Sequence, residues 1–220
     1  MRKLLLLRPE PGLSASVERA RALGLDVIAC PLFRVEPVEW LPPDPGEFDG
    51  LLLTSANAVR HGGPGLGQFR GLPVHAVGPA TAEAAHEAGF QVATMGSTDV
   101  AGLLEKLPRS LRLLHLAGEQ RRELSKGHLV TQISVYRSVA IDDPELPPLN
   151  GLVVAVHSPR SAAQLAELAD SRSETAVAAI SDVAAAACGE GWERVEAAAE
   201  PSDSRLLALA ARLCQTSAPR

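Results

Sequence analysis

Hydroxyl and amide side chains follow a short apolar run near the end of the first quarter of the chain, where a helix is expected to begin. Residues 51–53 are three leucines typical of a buried strand, and Thr54, Ser55 and Asn57 come directly after them. Side chains of these types cap the free N–H groups of a first helical turn. In an open parallel sheet, ligands also bind where strands end and helices begin. The stretch therefore predicts both a helix start and a polar rim for a ligand.

The same pattern recurs in the second half of the chain. Residues 153–156 form another apolar run, and Ser158, which follows it, lies 103 positions after Ser55. The alignment continues further on, because residues 76–82 match residues 179–185 at the same offset. Self-similarity at a nearly constant offset indicates two copies of one α/β unit.

Polar side chains at the expected strand ends form a set that recurs in both copies. Helix caps and surface charges are one interpretation of each member, and recurrence of the set favours a common ligand cleft. Backbone N–H groups at helix starts bind carboxylates, and arginine adds bidentate pairing. The set comprises Arg8, Thr54, Ser55, Asn57, Thr81, Arg122, Ser158, Arg160 and Ser161.

Tyr136 is the only tyrosine of the chain. It is either a core or hinge residue, or a group whose phenol donates a proton or a hydrogen bond to a leaving group. Both interpretations stay open on the residues alone.

Common catalytic motifs are missing from the sequence. The cluster of Gly62, Gly63, Gly65 and Gly67 fits neither phosphate-binding glycine pattern, so it predicts a surface loop. Residues 12–16 lack the closing glycine of a hydrolase nucleophile elbow. The six histidines show no paired metal-ligand spacing, and most of them are expected at the surface.

Composition limits the class of protein. With 220 residues, 46% hydrophobic and 21% charged, the chain can form one large or two small globular domains. A net charge of −5 argues against a general nucleic-acid binder. The three cysteines, Cys30, Cys188 and Cys214, indicate neither a disulfide framework nor a zinc site.

The apolar segment after Met1 is too short for a signal peptide, since Arg8 interrupts it, and no run is long enough to span a bilayer. We therefore expect a cytoplasmic protein.

Strand and helix patterns alternate along the chain, which predicts an α/β fold with parallel sheets. We expect the first helix to start with Ser14 or Ser16 as its cap, further helices over residues 97–107 and 119–125, and two related extended segments at 31–38 and 132–139.

The ordered motifs resemble the uroporphyrinogen-III synthase family. They are Leu-Leu-Leu-Arg-Pro at 5–9, Leu-Leu-Leu-Thr-Ser-Ala-Asn-Ala-Val at 51–59, Ala-Val-Gly-Pro-Ala-Thr-Ala at 76–82, Gly-Glu-x-x-Arg-Glu-Leu at 118–124, Val-Tyr-Arg at 135–137 and His-Ser-Pro-Arg-Ser at 157–161. Each motif is weak alone, but their joint order is specific and covers nearly the whole chain.

The resemblance implies two flavodoxin-like three-layer α/β domains with parallel sheets, joined by two extended connectors, with a cleft between them. Domain 1 would comprise residues 1–34 and 141–220, domain 2 residues 38–133, and the connectors residues 35–37 and 134–140.

The resemblance also implies a reaction. The linear tetrapyrrole hydroxymethylbilane, which carries eight carboxylates, would lose its hydroxyl as water, invert ring D through a spiro intermediate and close as uroporphyrinogen III. A monomer of this family would need no cofactor, metal, nucleic acid or membrane. Tyr136 would assist loss of the hydroxyl, and Arg8 and Arg122 would pair with substrate carboxylates. The other substrate-facing positions would be Thr54, Ser55, Asn57, Gly78, Thr81, Ser158 and Ser161.

The sequence departs from the family pattern in two places, the second copy of the repeated unit and the position just before the motif at 118–124. Val183 and Ala184 stand where the family often has threonines, which leaves Ser181 as the local donor, and Ala117 stands where an arginine is common. A non-catalytic protein of the same fold that binds a carboxylate-rich ligand is therefore the alternative.

Overall fold

The computed structural model describes residues 1–96, 100–120, 124 and 127–216. In this part of the chain the strands are β1 (Leu4–Leu6), β2 (Val27–Ala29), β3 (Phe33–Pro37), β4 (Gly50–Leu53), β5 (Val74–Val77), β6 (Val92–Gly96), β7 (Arg112–Gly118), β8 (Leu129–Ala140), β9 (Val153–Val156), β10 (Ala176–Ala179) and β11 (Arg194–Ala197). The α-helices are α1 (Gly12–Ala22), α2 (Ala56–His61), α3 (Pro79–Glu87), α4 (Val100–Leu104), α5 (Pro159–Leu168), α6 (Asp182–Ala187) and α7 (Asp203–Gln215). Short 3-10 turns cover Pro45–Glu47 and Pro64–Phe69.

These elements form two compact units. The first unit comprises Met1–Arg34 and Ala140–Arg220, and the second comprises Val35–Val139. Each unit contains its own sheet.

The sheet of the first unit has five parallel strands in the order β11-β10-β9-β1-β2. Its central strands are apolar and buried at every position, as expected of strands covered on both faces. Leu5 and Val154 belong to the core under α5 and α6, whereas Leu4 and Val153 belong to the core under α1 and α7. Alternating side chains therefore create a three-layer unit.

The sheet of the second unit has six strands in the order β3-β8-β7-β4-β5-β6, and the strands from β8 to β6 are parallel to their neighbours. Leu51 and Leu53 of β4 pack with Ala58 of α2 and Ala85 of α3. Leu52, on the opposite face, packs with α4. Two α/β sheets with parallel strands confirm the predicted fold class.

Strands β3 and β8 include the two segments that were expected to be extended. Each runs across the boundary between the units, because β3 spans Phe33–Pro37 and β8 spans Leu129–Ala140. They are also neighbours in the second sheet. The sequence therefore identified their extended conformation but not their pairing.

The predicted start of α1 is wrong. The helix begins at Gly12 after Pro11, which offers no side-chain cap, and the Glu10 carboxylate accepts a hydrogen bond from the Ser14 N–H at 3.1 Å. The hydroxyl of Ser14 donates instead to Glu10 at 2.8 Å, and Ser16 is buried inside the helix. Neither serine hydroxyl therefore caps the N–H groups of the first helical turn.

Two further helix predictions fall partly outside the described residues. The helix expected over 97–107 is observed only as α4, and the positions expected to cap it are not described. Of the helix expected over 119–125, Glu119 and Gln120 are not helical, and most of the remainder is not described. In the described ranges, no helix has the length and apolar character needed to cross a membrane.

Candidate functional site

Serines that follow strands cap the next helix in both units. Ser55 accepts a hydrogen bond from the Asn57 N–H at 3.2 Å, and Ser158 accepts one from the Ser161 N–H at 3.0 Å. Ser181 does the same for Ala184 at 3.3 Å. The helix-start prediction is confirmed at the first two positions. A cap uses the oxygen as an acceptor and leaves the hydroxyl hydrogen for another group. The Ser158 hydroxyl lies 2.9 Å from that of Ser161, so one of these two hydroxyls donates to the other.

A pocket of about 270 Å³ lies in the second unit, where β4 and β7 end. Thr54, Ser55, His115 and Tyr136 line it, together with the backbone of Gly118. Three of the predicted site residues, Thr54, Ser55 and Tyr136, are therefore brought together here. Its volume is just below the range of about 300–1,000 Å³ typical for whole small ligands, so it suits one ring of a larger molecule.

Tyr136 is held against a glycine. The register of β7 and β8 shifts between Ala117 and Gly118, so that Gly118 pairs with Tyr136. A Cβ on Gly118 would lie 2.8 Å from Cε2 and 3.2 Å from the phenol oxygen of Tyr136. Only glycine lets the ring occupy this position, because ordinary carbon contacts are about 3.5–4.0 Å. The His61 ring lies beside the same tyrosine, with 6.4 Å between centroids.

A hydrogen-bond network reaches the pocket from the sheet. Nε2 of His115 lies 3.0 Å from Oγ1 of Thr54, and Nδ1 of the same ring lies 3.2 Å from the amide nitrogen of Gln132. His115 is only 2% exposed. A buried imidazole thus connects β8 to the pocket rim.

Three other predicted positions of the second unit do not line this pocket. Asn57 is in the first turn of α2, and Gly78 is the N-cap of α3 with φ of 79°. Thr81 lies in the first turn of α3 and is buried. Arg122 lies outside the described residues.

A second polar cluster is centred on Asp203 at the start of α7 in the first unit. Oδ1 of Asp203 accepts hydrogen bonds from Ser16 Oγ at 2.6 Å, from His157 Nε2 at 2.7 Å and from Arg8 Nη1 at 3.1 Å. Oδ2 accepts one from Arg19 Nε at 2.7 Å. Arg8 therefore lies just after β1, as expected, but its guanidinium already pairs with a carboxylate of the protein.

Around Asp203, the carboxylate is ionised and the neighbouring His157 imidazole is neutral. Burial alone would raise the pKa of Asp203, but hydrogen bonds from His157 and Ser16 outweigh it and hold the pKa well below the usual range. Burial lowers the pKa of His157, with Asp203 acting against that shift. At neutral pH His157 therefore donates from Nε2 as a neutral imidazole to an ionised Asp203.

The cysteines are unsuited to nucleophilic chemistry at neutral pH. Burial raises the pKa of both Cys188 and Cys214 to about 11, so their thiolate fraction is small. Among the residues with described positions, no group of three or more metal-ligating side chains is found.

A larger groove of about 840 Å³ also lies in the second unit. Residues 37–42 and 61–65 line most of it, including the apolar side chains of Trp40 and Leu41. His61 also lines it, but no Thr, Ser or Tyr hydroxyl is among the described residues that do so, which is why we place the chemistry in the smaller pocket.

Sequence reasoning missed the partners that position these groups. The expectation that most histidines are at the surface is confirmed only in part: His75 and His115 are buried, His86 is exposed, and the other three are partly exposed. The one available signal was a histidine inside the apolar run of β7. Gln132 and Asp203 carried no recognisable pattern, and Ser16 was predicted only as a helix cap.

Comparison with known proteins agrees with this description. A family profile described as uroporphyrinogen-III synthase HemD matches residues 14–208. The structure is similar to uroporphyrinogen-III synthetase from Helicobacter pylori, with a TM-score of 0.69, 21% identity and coverage of 97% of this chain and 100% of that chain. It is also similar to a mutant uroporphyrinogen III synthase from the extremely thermophilic bacterium Thermus thermophilus, with a TM-score of 0.53, 19% identity and coverage of 97% and 100%.

At these identities the structural likeness establishes the fold alone. No curated protein matches the sequence significantly. The family profile, however, covers most of the chain. The chain therefore belongs to the uroporphyrinogen-III synthase family, whose members are enzymes of tetrapyrrole biosynthesis.

Proposed function

We propose that this chain is a hydro-lyase that cyclises hydroxymethylbilane to uroporphyrinogen III, with loss of water and inversion of ring D. The observation that carries the proposal is the pocket in which Tyr136 rests on Gly118 beside Thr54 and Ser55. The family match supports the proposal, because the matching profile describes uroporphyrinogen-III synthase.

Tyr136 assists departure of the hydroxyl. When the C–O bond breaks, both electrons leave with oxygen, and the pyrrole nitrogen of ring A supplies electron density to the remaining carbon. A hydrogen bond from the phenol stabilises the departing oxygen, which leaves as water after it gains a proton. The freed carbon then bonds to ring D at its substituted position, which gives the spiro intermediate. The bond from that position to the bridge carbon of ring C then breaks, and the bridge carbon bonds to the unsubstituted α carbon of ring D. The proton lost from that carbon balances the hydroxyl that leaves as water.

Most of the catalytic effect comes from holding the substrate. The uncatalysed bilane closes without inversion, so the protein has to favour one conformation of a flexible polyanion. Orientation of this kind can lower a barrier by several kcal/mol. The hydroxyls of Thr54, Ser55, Ser158, Ser161 and Ser181 are suitable donors, and so are the backbone groups near Asn57, Gly78 and Thr81.

Arginine contacts belong to the same proposal. Within the described residues, Arg8 makes its hydrogen bonds through Nη1, while a guanidinium has five N–H donors. The rest of the fork can pair with a substrate carboxylate, and Arg122 is proposed for the same role. We further propose that the protein acts as a cytoplasmic monomer without a cofactor.

Incubation with freshly generated hydroxymethylbilane tests the function. After a short reaction, the products are oxidised to porphyrins and their isomers separated, with a protein-free sample as control. Mostly type III product supports the proposal. Type I product alone, at the rate of the protein-free sample, would refute it and favour the non-catalytic carboxylate-binding alternative.

A further inference from the structure

We propose that His115 and Gln132 are positioning residues that set the direction of the hydrogen bond at Thr54, so that its hydroxyl donates into the pocket to a substrate carboxylate. The identity of the acceptor rests on the proposed function. The direction of the hydrogen bonds does not rest on the proposed function, because it is argued from the contacts among Gln132, His115 and Thr54.

Strand register places the three groups on one face of the sheet. Gln132 of β8 pairs with His115 of β7, which in turn pairs with Leu52 of β4. Thr54 follows Leu52 by two positions and therefore points to the same side. The three polar side chains form a continuous line that ends at the pocket.

The amide group of Gln132 sets the donor-to-acceptor direction along these three side chains. The amide nitrogen of Gln132 lies 3.2 Å from Nδ1 of His115, so we assign the amide as the donor and Nδ1 as the acceptor. This assignment places the ring proton on Nε2, which donates to Oγ1 of Thr54 at 3.0 Å. With one lone pair of Oγ1 occupied from the sheet side, the Thr54 hydroxyl hydrogen is directed to a partner in the pocket.

Burial makes the arrangement persistent. His115 lies on the same face as Leu52 and Leu113, which belong to the apolar cluster beneath α4. Packing there restricts the ring, and the low local polarity strengthens each hydrogen bond. A hydroxyl held as a donor in advance pays less orientational cost when an anion binds.

His75 provides a matched control. It pairs with Leu52 from the other side, so it lies in the same row of the sheet and is also buried. Its Nδ1 has no hydrogen-bond partner in the part of the chain that is described. Removing His75 therefore removes a buried imidazole without removing a bond to Thr54.

The first test reads the tautomer directly. Imidazole nitrogens of the 15N-labelled protein are observed by NMR at pH 7, and the signals of His115 are assigned from their disappearance in His115→Gln. We expect an unprotonated Nδ1 and a protonated Nε2. A proton on Nδ1, in either the other tautomer or an imidazolium, would overturn the proposal whatever the activity.

The second test is a double-mutant cycle on the KM for hydroxymethylbilane. Thr54→Val and His115→Leu are each expected to raise KM about tenfold, and the double variant no more than Thr54→Val alone. His115→Gln, which retains a donor, should recover most of the loss, and His75→Leu should leave KM unchanged. Additive effects, or a wild-type KM in His115→Leu, would overturn the proposal.

Two precautions keep the outcomes distinct. If His115→Leu does not fold, Gln132→Leu replaces it, since loss of the amide removes the group that fixes the tautomer and should also raise KM. If the wild type forms no type III product, the proposed function fails, and the NMR measurement alone decides the direction of the hydrogen bonds.

Discussion

Replacing Gly118 by alanine should displace the tyrosine without disturbing the backbone. Gly118 has no left-handed φ, so alanine is compatible with its conformation. The added Cβ would lie 2.8 Å from Cε2 and 2.9 Å from Cζ of Tyr136. The closest ordinary carbon contact is about 3.5 Å. The ring must therefore move by about 0.7 Å or more.

A displacement of this size is large for a group that assists bond breaking. A misplacement of about 1 Å can reduce a rate about a hundredfold. We expect kcat of Gly118→Ala to fall between about tenfold and a hundredfold, while KM changes little because the other substrate donors remain in place. The assay is the initial rate of type III product formation over a range of hydroxymethylbilane concentrations.

Gly71→Ala is the matched control. Its Cβ would meet no atom within 4 Å, and its φ is also outside the left-handed region. We expect wild-type kinetics for this variant. A kcat for Gly118→Ala within about twofold of wild type, in a folded protein, would refute the proposed dependence on the position of Tyr136.

Three more predictions concern single side chains. Tyr136→Phe should lower kcat about a hundredfold yet still yield type III product; complete loss of activity in the folded variant would contradict this. Asp203→Asn should lower the free energy of unfolding by about 2 kcal/mol at pH 7 in urea titrations, because a partly buried carboxylate pairs there with two arginines. Folding lowers the pKa of Asp203, so the difference in unfolding free energy between wild type and Asp203→Asn should persist above about pH 4 and shrink as the pH falls further. A difference that does not change with pH would contradict this prediction. Arg2→Met should lower the free energy of unfolding by about 3 kcal/mol, because Arg2 is buried against Glu193 and backbone carbonyls. Lys3 is exposed, so Lys3→Met should lower it by less than about 1 kcal/mol. Equal urea midpoints for the two variants would contradict this distinction.

Local signals in the sequence predicted much of the fold. The apolar runs at β4 and β9 and the serines after them are short-range patterns, and the observed caps of Ser55 and Ser158 follow from them. The sequence repeat at an offset of 103 positions correctly indicated two α/β units. Such features depend on neighbours within a few positions, which is why they can be read from one chain.

The positioning contacts could not be predicted in this way. Asp203 meets Ser16 and Arg8 across 187 and 195 residues, and Arg2 meets Glu193 across 191. These pairs exist because parallel strands bring distant segments to one edge of a sheet. The start of α1 was mispredicted for the same reason, since Ser16 is engaged by Asp203 and not by its own helix.

The most direct test of the proposed reaction follows the bond that inversion must break. Hydroxymethylbilane is prepared with adjacent 13C labels on the bridge carbon between rings C and D and on the ring D carbon attached to it. Inversion separates these two atoms, so we predict that the one-bond 13C–13C coupling is lost in the enzymatic product. Retention of that coupling in product formed faster than the protein-free reaction would contradict the account.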